Sequence, residues 1–204
     1  MQIDFVFSIL ILIFSVIVHE VSHGYAAYLL GDNTAKYAGR LNLNPFNHLE
    51  WFGSLILPIL SYRFGGFILG WAKPVPFNPY NLRNQKWGEA IVAVAGPLSN
   101  ISIAVFFGLL IRFGVASQFG PAFLNISTII VMINLVLATF NLVPIPPLDG
   151  SKILFSLIPY NMRYIRDFLE RYQLFLILIF VFFLWDYLYP LISLELRLIT
   201  GLPL

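Results

Sequence analysis

The sequence predicts an all-α polytopic membrane protein with about four full transmembrane helices, and three observations lead there. Hydrophobic residues fill 59% of the 204 positions and charged residues only 11%, far from the balance of a soluble domain. Four apolar runs are each long enough to cross roughly 30 Å of hydrocarbon as a helix. The polar stretches between them are short, so residues 1–204 read as a single membrane-embedded unit with no separate soluble domain.

The first span is expected at 5–30. Its apolar run has no basic lead-in and no small-residue cleavage site, so it reads as a retained helix and not a signal peptide. A second apolar stretch, 52–70, is interrupted by Pro58, Arg63 and Gly65-Gly66, which makes it a poor continuous helix and suggests a re-entrant or partial membrane segment. An extended Pro-rich loop is expected at 71–81, where Pro74, Pro76 and Pro79 forbid regular helix. Full spans follow at 88–111 and 124–143, the latter stopped by Pro144, Pro146 and Pro147, and the fourth at 170–189. Asp186 among Trp185, Tyr187 and Tyr189 reads as an outer interfacial belt closing that last span.

Basic residues orient the chain. Lys36 and Arg40, then Lys73, Arg83 and Lys86, then Lys152, Arg163, Arg166 and Arg171 mark three loops as cytoplasmic, whereas 112–122 carries only Arg112. All three loops share a side only if 52–70 dips into the membrane and returns, and backbone of that kind needs protein or a watery cavity around it. The net charge of +2 gives no footprint for nucleic acid. With no cysteine, disulfides, thiolate ligands and a Cys nucleophile are excluded.

Chemistry enters in "IFSVIVHEVSHGYAAYLL", residues 13–30, which places His19, Glu20 and His23 inside a membrane run. Ionisable groups are costly there without a strong common partner. HEVSH is the HExxH pattern: four residues at ~100° each bring His23 nearly over His19, so both imidazoles reach one metal ion. Glu20 stands beside them, placed to act on a water at the metal. A polar patch between packed helices is the bland reading, and three titratable groups within five positions make it expensive.

Catalytic zinc takes three protein ligands and one open position. His48, the remaining histidine, is a weak candidate in a loop. Asp149 in "FNLVPIPPLDGSK" is the other, although Asp149-Gly150 alone would simply make a turn. Topology favours Asp149: if 52–70 is re-entrant, the first span and the span at 124–143 end on the same side, so the histidines and Asp149 meet there.

HEVSH, "VAGPLSN" (94–100) and "NLVPIPPLDG" (141–150), with "GWAKPVPFNP" between them, resemble the site-2 protease family of intramembrane zinc metalloproteases in its short form without a PDZ domain. The resemblance implies one Zn²⁺ per chain held by His19, His23 and Asp149, with Glu20 as general base and acid. It implies Asn141 as candidate hydrogen-bond donor to the oxyanion, against a plain helix–helix hydrogen bond. The segment 71–81 would meet the substrate, with Asn78 a contact, or else serve as a rigid loop. Gly96, Pro97 and Asn100 read as packing residues. The expected partners are transmembrane protein substrates and the lipid bilayer, a homo-oligomer is compatible with the sequence, and the active site would lie towards the cytoplasmic side of the cell membrane. The alternative is a non-proteolytic membrane zinc-binding or transport protein, in which Glu20 would have no duty.

Overall fold

The computed structural model describes residues 2–65 and 73–202. Among these residues every regular element is a helix. Helix α1 (Gln2–Leu29) is followed by the short α2 (Thr34–Tyr37) and α3 (Pro45–His48), a π-helical turn (Trp51–Ile56), and α4 (Leu57–Gly65). The chain then passes through an extended stretch to α5 (Gly88–Arg112), α6 (Val115–Gln118) and α7 (Pro121–Asn141). Helices α8 (Asp149–Leu157) and α9 (Arg163–Arg171) precede α10 (Gln173–Ile179), a π-helical turn (Phe180–Leu184) and α11 (Trp185–Thr200). Among the described residues, four helical stretches are long and apolar enough to cross a membrane: Phe5–Leu29, Gly88–Arg112, Pro121–Asn141 and Gln173–Thr200.

Helix α1 stops where the backbone turns left-handed at Gly31, with φ of +107°. The Gly31 N–H donates to the Tyr28 carbonyl and the Asp32 N–H to the Ala27 carbonyl, the pairing that satisfies the last carbonyls of a helix when glycine follows it. Helix α5 is central, packing against α1, α7, α8 and α11. Val92, Gly96, Asn100, Ala104 and Gly108 recur at every fourth position and are all buried, so one face of α5 is a small-residue stripe that lets its neighbours approach closely. A methyl on Gly108 would lie 2.2 Å from Ile199 Cγ2, which shows how near α11 comes. Ala104, Ile111, Val131, Leu135, Ile192 and Leu196 fill the core between these helices. Phe106, Phe182 and Phe183 point outward as lipid-facing side chains do.

The stretch between the first two spans leaves and returns on one side. The Lys73 N–H donates to the His48 carbonyl at 2.8 Å, so residues flanking 49–72 are neighbours. Tyr62 in α4 nevertheless stacks on Phe5 with ring centroids 4.1 Å apart, at the end of α1 about 21 Å from His19 along the axis. The described limb of the re-entrant segment is thus helical from 51 to 65, and residues 66–70 of that segment and 71–72 of the Pro-rich loop lie outside the described residues. Residues 73–78 have no regular structure, in keeping with Pro74 and Pro76, while the end of the expected extended loop is a 3-10 turn, Pro79–Asn81, opened by its third proline.

The fourth span departs from the sequence expectation of 170–189. It runs over Gln173–Thr200, and Pro190 lies inside α11 instead of ending it. A proline removes only one rung of a helix, and residues 191–199 are apolar enough to resume it. The interruption falls earlier, at Leu184 (φ −111°, ψ −8°), after the π-helical turn. The Trp185, Tyr187 and Tyr189 cluster therefore lies mid-span and not at its outer end, and the extension draws in Glu195, whose Oε2 accepts a hydrogen bond from Thr139 Oγ1 at 3.0 Å.

Candidate metal centre

Helix α1 carries His19 and His23 on one face, and both rings are buried. Their Nε2 atoms each lie 3.1 Å from Oδ2 of Asp149, the first residue of α8. Three zinc ligands at ~2.0–2.2 Å in a tetrahedral arrangement stand about 3.3 Å from one another. The residues present therefore fit one ion, and among the described residues His19, His23 and Asp149 form the one grouping able to hold a metal.

Gly96 leaves room for it. A methyl at that position would stand 2.5 Å from Nε2 of both His19 and His23, so the space in front of the two nitrogens exists because α5 has no side chain there. Asp149 is delivered by a similar device. A methyl on Gly150 would lie 2.2 Å from the Leu142 carbonyl oxygen, so glycine allows the end of α7 to fold back tightly against the start of α8. Asp149-Gly150 opens a helix here and does not form the simple turn that its sequence suggests. Burial alone would raise the Asp149 pKa, but the surroundings made by His19, His23 and Lys152 hold it well below the ordinary carboxylate range. Its second oxygen, Oδ1, faces Lys152 Nζ at 3.5 Å.

Each imidazole is oriented from behind. The His19 Nδ1–H donates to Oδ1 of Asn100 at 2.6 Å, and the His23 Nδ1–H donates to the Val92 carbonyl at 2.7 Å. Both rings therefore turn an Nε2 lone pair to the site. The Asn100 amide donates in turn to Asn134 Oδ1 at 2.9 Å and to the Ser15 carbonyl, and Asn134 donates to Ser15 Oγ. Ser15, Asn100 and Asn134 come from three different spans and are all buried. Sequence reasoning assigned Asn100 to packing and passed over Ser15 and Asn134. The available signal was three small polar side chains, one in each of three apolar runs, which hydrocarbon tolerates only when they are paired.

Glu20 is half-buried and outside the metal grouping. Its Oε2 accepts a hydrogen bond from the Val75 N–H at 2.9 Å, so the extended stretch 73–78 runs beside the carboxylate. That stretch is held at both ends. Arg40 donates to the Lys73 carbonyl at 2.8 Å, and the Asn78 N–H donates to Oδ2 of the fully buried Asp32 at 2.7 Å. The Asn78 side chain accepts from the Tyr80 N–H and caps the short turn that follows.

Two other sequence candidates make hydrogen bonds to backbone carbonyls. The Asn141 amide donates to the Leu137 carbonyl of its own helix at 2.9 Å. His48 is fully buried, its Nε2–H donating to the Asn42 carbonyl at 2.7 Å.

Comparison with known proteins adds the following. The model of peptidase family M50 matches residues 7–123 and 114–184. The putative zinc metalloprotease YwhC of Bacillus subtilis (strain 168) is 37% identical over 161 residues, covering 76% of this chain and 70% of that protein. MJ0611 of Methanocaldococcus jannaschii, described in the same words, is 35% identical over 152 residues, 72% of each chain. Rip2 of Mycolicibacterium smegmatis, again so described, is 31% identical over 141 residues, and the match spans about half, 51%, of its length. No solved structure matches the chain.

Proposed function

The chain belongs to peptidase family M50, and on that premise we propose that it is a multi-pass zinc endopeptidase of the site-2 protease type, hydrolysing peptide bonds within or next to transmembrane segments of other membrane proteins. The observation that carries this reading is the meeting of His19 and His23 from α1 with Asp149 from α8, with Glu20 one residue from the first ligand. One zinc ion per chain would be held by those three side chains, supplying a Lewis acid and a means of acidifying water.

The remaining work falls to the protein. Glu20 accepts the proton of the attacking water and returns it to the leaving amine. Asn100 and the Val92 carbonyl accept from the two Nδ1–H groups and keep both imidazoles aimed, so that no reorganisation is needed when substrate arrives. A helical substrate offers no free carbonyl, since its backbone is already paired, and must be unwound before attack. The extended stretch 73–78 lies beside Glu20 and supports strand addition as the way of holding the unwound segment. Pro74 and Pro76 have no N–H and the Val75 N–H is given to Glu20, so pairing along its central part would use the Phe77 N–H and the backbone carbonyls. The lysines and arginines at 31–51, 73–87 and 150–171 favour a cytoplasmic position for this end of the molecule.

The test is reconstitution of the purified protein with single-span substrates, comparing it with Glu20→Gln. The expected result is one equivalent of zinc in both proteins and a loss of cleavage of at least ~100-fold in the variant, the scale of general acid–base catalysis. Cleavage that persists in Glu20→Gln removes the proposed base. Zinc binding without any cleavage by the unaltered protein favours a non-proteolytic metalloprotein.

A further inference from the structure

Lys152 follows Asp149 by one turn of α8, so the two side chains are neighbours on one face of that helix. Its Nζ lies 3.5 Å from Asp149 Oδ1, while Oδ2 is the oxygen 3.1 Å from both histidine Nε2 atoms. At 3.5 Å the contact is an ion pair and not a tight hydrogen bond, so it leaves N–H groups of the ammonium uncommitted. No other polar partner of the ammonium is found among the described residues. The lysine side chain is 33% exposed, beside an aspartate that is almost enclosed.

The extended stretch fixes the ammonium from its other side. Nζ stands 5.4 Å from the centre of the Phe77 ring, within the range over which a cation is attracted to an aromatic face. Phe77 packs against the cluster of Ala27, Leu82 and Val92, which ties its ring to α1 and α5. Two residues earlier in the same stretch, the Val75 N–H holds Glu20, and two residues of extended chain rise only ~7 Å. Glu20 adjoins His19 in sequence and Lys152 touches Asp149. The ligand cluster therefore has a carboxylate on its α1 side and an ammonium on its α8 side, both held by residues 73–78.

Resting on the peptidase function proposed above, we propose that Lys152 is a further catalytic residue, donating an N–H to the oxygen that gains negative charge when the scissile carbonyl is attacked. The water oxygen bonds to the carbonyl carbon, the π pair of the C=O bond moves onto the carbonyl oxygen, and the proton leaving the water goes to Glu20. That oxyanion accepts a hydrogen bond from Lys152 Nζ. As its electron pair re-forms the carbonyl, the C–N bond breaks and Glu20 hands its proton to the departing nitrogen. Lys152 keeps its protons throughout. A charged donor already in place binds the oxygen more strongly as it becomes anionic, which favours the transition state over the bound substrate.

The test compares the unaltered zinc-loaded protein with Lys152→Met and Lys152→Arg, using a single-span substrate and a phosphinic peptide whose tetrahedral anionic group resembles the intermediate. Lys152→Met is expected to lower kcat about 100-fold with KM changed by no more than about twofold, and to weaken the phosphinic peptide by a similar factor. Uncleaved substrate, measured in the Glu20→Gln background, should bind equally well with Lys152 or with Lys152→Met. Lys152→Arg, which keeps the charge and the donors, should recover at least about a tenth of the lost kcat. Zinc affinity, measured by competition with a chelator, should stay within about threefold in both variants. Zinc affinity lowered about 10-fold or more in Lys152→Met, with kcat per zinc-loaded molecule preserved, would assign the lysine to holding Asp149 and overturn the proposal. So would a phosphinic peptide that binds the unaltered protein and Lys152→Met alike. In both of those cases the unaltered protein still cleaves; no cleavage by the unaltered protein would instead overturn the peptidase function, and this role with it.

Discussion

The His19 Nδ1–H points at Oδ1 of Asn100 at 2.6 Å, across an interface between the first and second spans. Because the Asn100 amide is committed to Asn134 and to the Ser15 carbonyl, its oxygen has to face the imidazole, which fixes the His19 tautomer. Asn100→Ala is expected to lower zinc affinity by about 10- to 100-fold, measured by competition with a chelator of known affinity. Asn134→Ala acts one bond further out and should cost less. An Asn100→Ala protein that holds zinc as tightly as the unaltered one would show that the hydrogen bond does not orient the ligand.

Gly96 yields a sharper prediction, since the clash involves the Nε2 atoms of both proposed histidine ligands together. Gly96→Ala puts a methyl 2.5 Å from each Nε2 and 2.6 Å from His19 Cε1, and neither buried ring has a free rotation that would relieve it. The expected outcome is a folded protein that purifies with little or no zinc, measured by elemental analysis beside far-ultraviolet circular dichroism. Gly108→Ala serves as the control. Its methyl meets Ile199 at the far end of the same helix, so it perturbs packing and should leave zinc content unchanged.

Much of this architecture was readable from local pattern. Apolar runs located the four spans, since length and hydropathy are properties of the run itself. The His19–His23 spacing put two imidazoles on one helix face, and the requirement that basic loops share a side brought Asp149 to the same end. What escaped was non-local. Asn100, Asn134 and Ser15 are separated by at least 34 residues, and only the packing of three helices shows that they answer one another. The fourth span was cut short because Pro190 and the aromatic cluster resemble a helix end, and nothing local shows that the π-helical turn at Phe180–Leu184 takes up the irregularity first.

Asp32 sets the extended stretch beside Glu20 through hydrogen bonds that involve none of His19, His23 and Asp149. Its Oδ2 accepts from the Asn78 N–H, and its Oδ1 accepts from Asn81 Nδ2 at 2.8 Å and from Thr34 Oγ1 at 2.6 Å. Asp32→Asn leaves one acceptor oxygen where two were used and turns an NH₂ towards groups that are already donors. The stretch 73–78 should loosen, and with it the Val75 N–H that holds Glu20. Zinc content should be unchanged, while kcat falls by about 10- to 100-fold, as misplacement of reacting groups commonly costs. A purely structural role would instead appear as lost zinc or lost folded protein, with kcat per zinc-loaded molecule preserved.

His48 supplies a pH dependence whose sign follows from its burial. Burial is the main influence and lowers its pKa below 6.5; the hydrogen bond to the Asn42 carbonyl opposes this, Arg40 lowers it further and Glu20 raises it. The unfolded chain therefore takes up the proton first as pH falls. Stability contributed by neutral His48 is complete above the unfolded value of about 6.5 and is lost as pH drops towards the lower folded value, with a slope of at most ~1.4 kcal/mol per pH unit. His48→Gln keeps a donor for the Asn42 carbonyl and cannot titrate. Thermal unfolding of zinc-saturated protein in detergent, followed from pH 8 down to pH 5, should show the unaltered protein losing Tm below about pH 6.5 more steeply than His48→Gln. Any contribution from His19 and His23 is common to both proteins and cancels in the difference. Parallel curves over that interval would mean that His48 takes up no proton on unfolding, and that its burial leaves its affinity for protons unchanged.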